Sequence, residues 1–109
     1  MSSKAKQGEV WLAEVLFKGT RETKQHFCFI VGNELAIDVD VIIAPVTSQQ
    51  PRNQFDVALE YWKESGLIKP SVAHTSKIMS VHGSELKRHL GVLHKHDLER
   101  VLHVCRNLF

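Results

Sequence analysis

Apolar residues crowd several short stretches of the chain, and the strongest of these stretches runs from Val39 to Ser48. Branched side chains dominate it, which favours a buried, pleated strand in the core of a small domain. The stretch ends in Thr47 and Ser48, just before a polar loop. Hydroxyls at the end of a core strand are well placed for chemistry on a rigid scaffold, although they could also do no more than end the strand.

Further apolar stretches, bounded by polar turns, predict a series of short strands. The first has apolar residues on both faces, which suits a strand curling around a small barrel. The predicted strands cover Gly8–Lys18, His26–Val31, Ala36–Val46, Phe55–Glu60, Ser71–Ile78 and Met79–Val81.

The spacing of the apolar residues changes near the C-terminus, from strand-like to helical. Ser84 and Gly91 have the residue types of a cap and a stop for a short helix over Glu85–Leu90. From Lys95 onward, apolar residues recur at helical spacing and predict an amphipathic helix, with Asp97 in its first turn. The pattern therefore indicates an α+β, mainly β fold: one domain over residues 1–109, a small curled β-barrel with a C-terminal amphipathic helix.

Composition changes this picture little. The chain is 43% hydrophobic and 24% charged with a net charge of +2, so bulk charge favours no particular partner. Cys28 and Cys105 form no disulfide framework, and buried reduced thiols are typical of a cytoplasmic protein. No apolar stretch approaches the length of a membrane span, and we expect no membrane association.

Four segments, in order along nearly the whole chain, resemble the MazF/PemK/Kid family of toxin endoribonucleases from bacterial type II toxin–antitoxin systems. The most specific is Val-Ile-Ile-Ala-Pro-Val-Thr-Ser, close to the family's Val-Ile-Val-Ala-Pro-Ile/Leu-Thr-Ser. The others resemble the family's opening Gly-Asp/Glu-Ile/Val-Trp/Tyr strand, its Arg-Pro strand and its Gly-Leu-x-x-x-Ser-Val/Ala segment. The four segments are Gly8–Ala13, Lys24–Val31, Val41–Ser48 and Gly66–Ala73.

The resemblance implies an SH3-like barrel that assembles as a homodimer in the cytoplasm. It also implies an mRNA interferase, which cuts single-stranded RNA without metal or other cofactor and leaves a 2′,3′-cyclic phosphate. The implied partners are single-stranded mRNA and a cognate antitoxin that covers the RNA groove, with DNA reached only through the antitoxin. Toxins that act on DNA gyrase share this fold, but nothing in the sequence favours that target.

By the same resemblance, Thr47 stands at the family's active-site threonine, and Ser48 could add a second donor to phosphate. His26 stands where the family has its principal catalytic arginine, and His74 where some relatives use a second arginine. Ser76 replaces an acidic residue of those relatives. We therefore expect the catalytic set His26, Thr47 and His74, and RNA contacts from the polar residues Lys18, Arg21, Lys24, Gln25, Ser48, Arg52, Ser76 and Lys77.

Two interpretations of the histidines remain open. Two histidines suit cyclising RNA cleavage, with one accepting and one donating a proton near neutral pH. Alternatively, loss of the phosphate-clamping arginines leaves an attenuated or inactive toxin, a dimer that binds antitoxin or RNA without cleavage. His94 and His96, with His89 and His103, suggest a metal site, but without an acidic or cysteine ligand set at a recognised spacing we expect no metal.

Overall fold

The computed structural model describes residues 5–16, 23–33 and 40–109 of the chain. Within these residues, seven strands are followed by one α-helix, which is one strand more and one helix fewer than the apolar pattern predicted. Two 3-10 turns, Thr75–Lys77 and Gly83–Glu85, interrupt the later strands. The elements are β1 (Glu9–Leu16), β2 (Thr23–Ile30), β3 (Asp40–Thr47), β4 (Asp56–Ala58), β5 (Val72–His74), β6 (Met79–His82), β7 (Leu86–Val92) and α1 (Lys95–Arg106).

The strands form one antiparallel sheet in the order β4-β5-β3-β2-β1-β7, and β6 also pairs with β3. β2 pairs antiparallel with β3, with Cys28 opposite Pro45. β3 thus pairs with three strands, β2, β5 and β6, and is the centre of the sheet. The mainly β fold with a C-terminal helix is confirmed.

Two apolar clusters cover opposite faces of the central strands. Ala44 and Val46 of β3 belong to a cluster that includes Val101 of α1. Val41 and Ile43 point the other way, into a cluster with Cys28. Because successive side chains of a strand alternate between faces, a strand buried on both sides must be apolar throughout. Burial also raises the pKa of the Cys28 thiol to about 12, so this thiol stays protonated and unreactive at neutral pH.

The predicted short helix over Glu85–Leu90 is wrong, because Glu85 ends a 3-10 turn and the rest of the segment belongs to β7, which pairs with β1. Gly91 is a close-approach position rather than a helix stop. A Cβ built there would lie 2.4 Å from the Ser65 carbonyl oxygen. Pairing with β1 and this backbone contact, both long-range, override the local capping signals.

The strand predicted over Ser71–Ile78 is also too long. β5 ends at His74, and the chain turns through Thr75–Lys77 before β6 begins. The C-terminal helix begins at Lys95 as predicted. The predicted residues Lys18 and Arg21 lie outside the described part of the chain. None of the helices within that part is long and apolar enough to cross a membrane.

Candidate active site

The end of β3 carries the candidate threonine. Thr47 lies opposite Val72 of β5, and continuing the β2–β3 register by two residues places His26 opposite Thr47. His74 is two residues beyond Val72 on β5, which makes it a diagonal neighbour of Thr47 on the same face, at about 7–8 Å in ordinary antiparallel geometry. Because β3 lies between β2 and β5 in the sheet, Thr47 lies between the two strands that carry the histidines.

Thr47 is half-buried, and its Oγ1 accepts a hydrogen bond from the Gln49 N–H at 3.2 Å. This bond fixes the turn that follows β3. A hydroxyl that accepts one hydrogen bond can still donate its own hydrogen. The position therefore offers one oriented donor to an oxygen atom, such as that of a phosphate.

A cavity of about 260 Å³ lies where β2 and β3 meet the segment that leads into β5. It unites four of the residues predicted from the sequence, and segment 67–71 forms its other wall. Ile68, 79% exposed, and Lys69 lie on that wall. The predicted residues that line the cavity are Gln25, His26, Thr47 and Ser48.

His74 does not line this cavity and has a carboxylate partner of its own. Its Nδ1 atom is 2.9 Å from Oδ1 of Asp56, the residue directly opposite on β4. The histidine side chain is 18% exposed and the aspartate side chain 1%. Burial by itself raises the pKa of Asp56, but hydrogen bonds from the Arg52 N–H and from His74, and both positive charges, together lower it below its usual value.

The other residues predicted to contact RNA are dispersed. Arg52 is exposed; its guanidinium donates to the Gln49 side-chain oxygen, and its backbone N–H donates to Asp56. Ser76 and Lys77 are exposed on the 3-10 turn after β5, away from the cavity lining. Only the backbone of Lys24 is described, in β2.

Two residues of the site were missed in the sequence. Lys69 lines the cavity and supplies a cation beside Thr47 and Ser48. Its carbonyl oxygen accepts a hydrogen bond from the Ser71 hydroxyl at 2.8 Å, which shapes the local backbone. Its place inside the Gly-Leu-x-x-x-Ser segment was an available signal. Asp56 had no such signal, because its contact with His74 depends on strand register.

The C-terminal histidines are held by separate contacts. The His94 ring stacks on Tyr61 with centroids 3.8 Å apart, and His96 Nε2 lies 3.0 Å from Glu60 Oε2. Among the described residues, Glu60, His96 and Asp97 bring three potential ligand atoms within 4.8 Å. The Arg100 guanidinium contacts both carboxylates, at 3.3 and 3.1 Å, so this cluster already contains its own cation.

Comparison with known proteins gives a consistent result. Residues 6–109 match the model of a family described as the PemK-like, MazF-like toxin of type II toxin–antitoxin systems. No curated protein sequence matches the chain.

Several solved structures share the fold at low sequence identity. An endoribonuclease from a Mycobacterial species, solved in complex with its cognate antitoxin, has a TM-score of 0.77 at 15% identity, covering 97% of this chain and 98% of its own. The Mycobacterium tuberculosis toxin MazF-mt6 has a TM-score of 0.74 at 19% identity, with coverages of 91% and 93%. MazF from Deinococcus radiodurans has a TM-score of 0.74 at 17% identity, with coverages of 99% and 97%.

Proposed function

Because the chain belongs to the PemK-like, MazF-like toxin family of type II toxin–antitoxin systems, we propose that it is an endoribonuclease that cleaves single-stranded mRNA. The reaction is a transesterification that needs no metal. The RNA 2′-oxygen bonds to the adjacent phosphorus, the bond from phosphorus to the 5′-oxygen breaks, and a 2′,3′-cyclic phosphate and a 5′-hydroxyl result.

The observation that supports this proposal is a cavity lined by both His26 and Thr47, with His74 on β5 two residues beyond Val72, the residue opposite Thr47. Cyclising cleavage needs a proton acceptor for the 2′-hydroxyl and a proton donor for the leaving 5′-oxygen. Histidines on either side of the phosphate supply both functions near neutral pH. The Thr47 hydroxyl holds a phosphate oxygen between them.

Phosphate charge needs a cation that the histidines supply only when protonated. Lys69, in the cavity lining with Thr47 and Ser48, supplies an ammonium group for this purpose. We assign it to phosphate binding, in place of the arginine expected at position 26. Gln25 and Ser48 line the same cavity and contact neighbouring RNA atoms, while Lys18, Arg21, Lys24, Arg52, Ser76 and Lys77 bind the flanking strand.

The partners follow from the family. We propose a cytoplasmic homodimer, inhibited by a cognate antitoxin that covers the RNA groove and provides the link to DNA. A Mycobacterial structural neighbour was solved with its cognate antitoxin, which supports an antitoxin as the partner here.

The decisive test is cleavage of single-stranded RNA of mixed sequence between about pH 5 and 8, with the product ends identified. Thr47→Val keeps the shape and removes the hydroxyl, and we expect a loss of about 100-fold or more. Ser80→Ala is the matched control, since it removes an exposed hydroxyl from β6, another partner of β3, and leaves cleavage unchanged. RNA left uncut by micromolar wild-type protein would refute the proposal.

The alternative is a toxin-fold dimer that binds antitoxin or RNA without cleavage, and histidines at both arginine positions favour it. A reversion series separates the two functions. If His26→Arg, His74→Arg or the double variant cleaves RNA and the natural chain does not, the non-catalytic function is correct. If His26→Ala abolishes an existing activity and His26→Arg does not raise it, the histidine mechanism is correct.

A further inference from the structure

We propose that Asp56 is the positioning residue of His74: it holds the imidazole with hydrogen on Nδ1 and so presents Nε2 as the proton acceptor for the RNA 2′-hydroxyl. This inference rests on the proposed ribonuclease function and assigns a specific role to each of the two histidines. The two residues form a direct cross-strand pair, Asp56 of β4 opposite His74 of β5.

The carboxylate is fixed at both oxygens. Oδ2 accepts the backbone N–H of Arg52 at 2.8 Å, and Oδ1 lies 2.9 Å from His74 Nδ1. With its side chain 1% exposed, Asp56 has little freedom to turn toward solvent. The same two hydrogen bonds keep its pKa below the usual value despite burial, so the group is an anion at neutral pH.

An ionised carboxylate only accepts hydrogen bonds, so a 2.9 Å contact requires the hydrogen on His74 Nδ1. The neutral imidazole then has its lone pair on Nε2. As Nε2 takes the 2′-hydroxyl proton, the imidazolium that forms is stabilised by the Asp56 charge, while the aspartate itself stays ionised. His26, across Thr47, then protonates the 5′-oxygen as its bond to phosphorus breaks.

Three elements surround this pair, and two of them carry charged or titratable side chains. Arg52, in the loop before β4, contributes a positive charge near Asp56. On the β3 side, continuing the β3–β5 register by one residue leads to Pro45, which carries no charge. Asp56 also lines a groove of about 500 Å³ between β4 and α1, and the helix side of that groove carries His96, Glu99, Arg100 and His103.

Asp56→Asn tests the assignment with almost no change of shape. The Arg52 N–H is an obligatory donor and selects the amide oxygen, so the amide NH₂ faces His74 Nδ1. That arrangement makes Nδ1 an acceptor and moves the hydrogen to Nε2, where it blocks the base. We expect cleavage to fall about 100-fold, within the range that a positioned acid–base group contributes.

Three measurements decide the proposal. Nitrogen-15 NMR of the histidine side chains should show His74 protonated at Nδ1 in the wild type and at Nε2 in Asp56→Asn. In a His74→Ala background, Asp56→Asn should cause no further loss of activity, because Asp56 acts only through the imidazole. Asp56→Glu keeps the charge and should therefore be more active than Asp56→Asn. The part of its pH–rate profile that reports His74 should lie closer to that of the wild type than the same part in Asp56→Asn does.

Glu60→Gln is the matched control, because it removes the charge of a second histidine–carboxylate pair at nearly the same contact distance, 3.0 Å. It should leave both the His74 tautomer and cleavage unchanged. An unchanged tautomer in Asp56→Asn overturns the inference, as does an equal loss of activity in the His74→Ala background. If the wild type has the expected tautomer but cleaves no RNA, the ribonuclease function itself fails and the catalytic role of Asp56 fails with it.

Discussion

Two histidine–carboxylate pairs of almost equal length lie at different depths in the molecule. His74 and Asp56 are 2.9 Å apart, and His96 and Glu60 are 3.0 Å apart. The Asp56 side chain is 1% exposed, whereas that of Glu60 is 57% exposed. Because water and salt screen the exposed pair, the contacts of Asp56 have the larger energetic consequence.

The hydrogen-bond partners of the two carboxylates also hold Asp56 more firmly than Glu60. Asp56 binds a backbone N–H as well as the imidazole, so both oxygens have defined positions. Glu60 shares one oxygen between His96 and Arg100, on a surface where all three side chains are at least one-third exposed. The distance between two charged atoms therefore indicates little about how much an ion pair stabilises the fold until the burial and the other hydrogen bonds of both groups are known.

Asp97 extends the comparison to a fully buried carboxylate beside the exposed pair. It accepts the backbone N–H groups of Glu60 and Tyr61 and the Arg100 guanidinium. Asp97→Ala leaves these donors without their acceptor, and we expect the free energy of unfolding to fall by about 3–5 kcal/mol. Urea unfolding followed by circular dichroism measures this change.

The control for Asp97 is Glu99→Ala, an exposed carboxylate two residues along the same helix. It should change the free energy of unfolding by no more than about 0.5 kcal/mol. Equal effects of the two substitutions would mean that helix charge, and not the buried contacts of Asp97, stabilises this end of α1.

Removal of the two histidine-bound carboxylates tests the comparison directly. Asp56→Ala should lower the free energy of unfolding by about 1.5–3 kcal/mol, because two hydrogen bonds to a buried charged group are lost. Glu60→Ala should cost less than about 1 kcal/mol, as is usual for exposed ion pairs. Urea midpoints at constant slope give both values, and equal losses would show that burial does not distinguish the pairs.

Most of the fold follows from local pattern, and the exceptions have physical causes. Alternation and branched residues predicted β1, β2 and β3, and helical spacing predicted α1 from Lys95. β7 was mistaken for a helix because Ser84 and Gly91 have the residue types of a cap and a stop, whereas its pairing with β1, 73 to 83 residues away in sequence, is a long-range effect. Local signals do not report such pairings.

In the candidate site too, residues marked by local sequence were predicted and residues that depend on long-range pairing were not. Thr47 was predicted because a strand end and a family motif coincide there, and the cavity contains it. Asp56 was not predicted as a site residue, since only the register of β4 with β5 brings it to His74, 18 residues further along the chain. Asp97 was predicted only as a residue of the first helical turn, and its contacts with Glu60 and Tyr61 also cross 36 residues or more.

The buried pair of Asp56 and His74 should make the free energy of unfolding decrease at acid pH. The pKa of folded Asp56 lies below its ordinary value of 3.8, so the unfolded chain binds the proton more readily. The stabilisation is therefore complete above the unfolded pKa and is lost as pH falls through the folded one. The stability difference between wild type and Asp56→Asn should narrow as pH falls below 3.8. Urea midpoints measured from neutral pH downward test this, and a gap that stays constant contradicts it.

Removing the charge of Glu60 from the exposed pair should give the smallest change in the free energy of unfolding. Glu60→Gln keeps the length of the side chain and removes its charge, so only the screened attraction to His96 and Arg100 is lost. We expect a decrease of about 0.2–1 kcal/mol in the free energy of unfolding at low salt. In about 1 M salt, where the Debye length is about 3 Å, the decrease should disappear. Urea unfolding at both salt concentrations measures it. A loss that persists in high salt would place Glu60 with Asp56, as a carboxylate whose contribution comes from specific hydrogen bonds rather than from exposed charge.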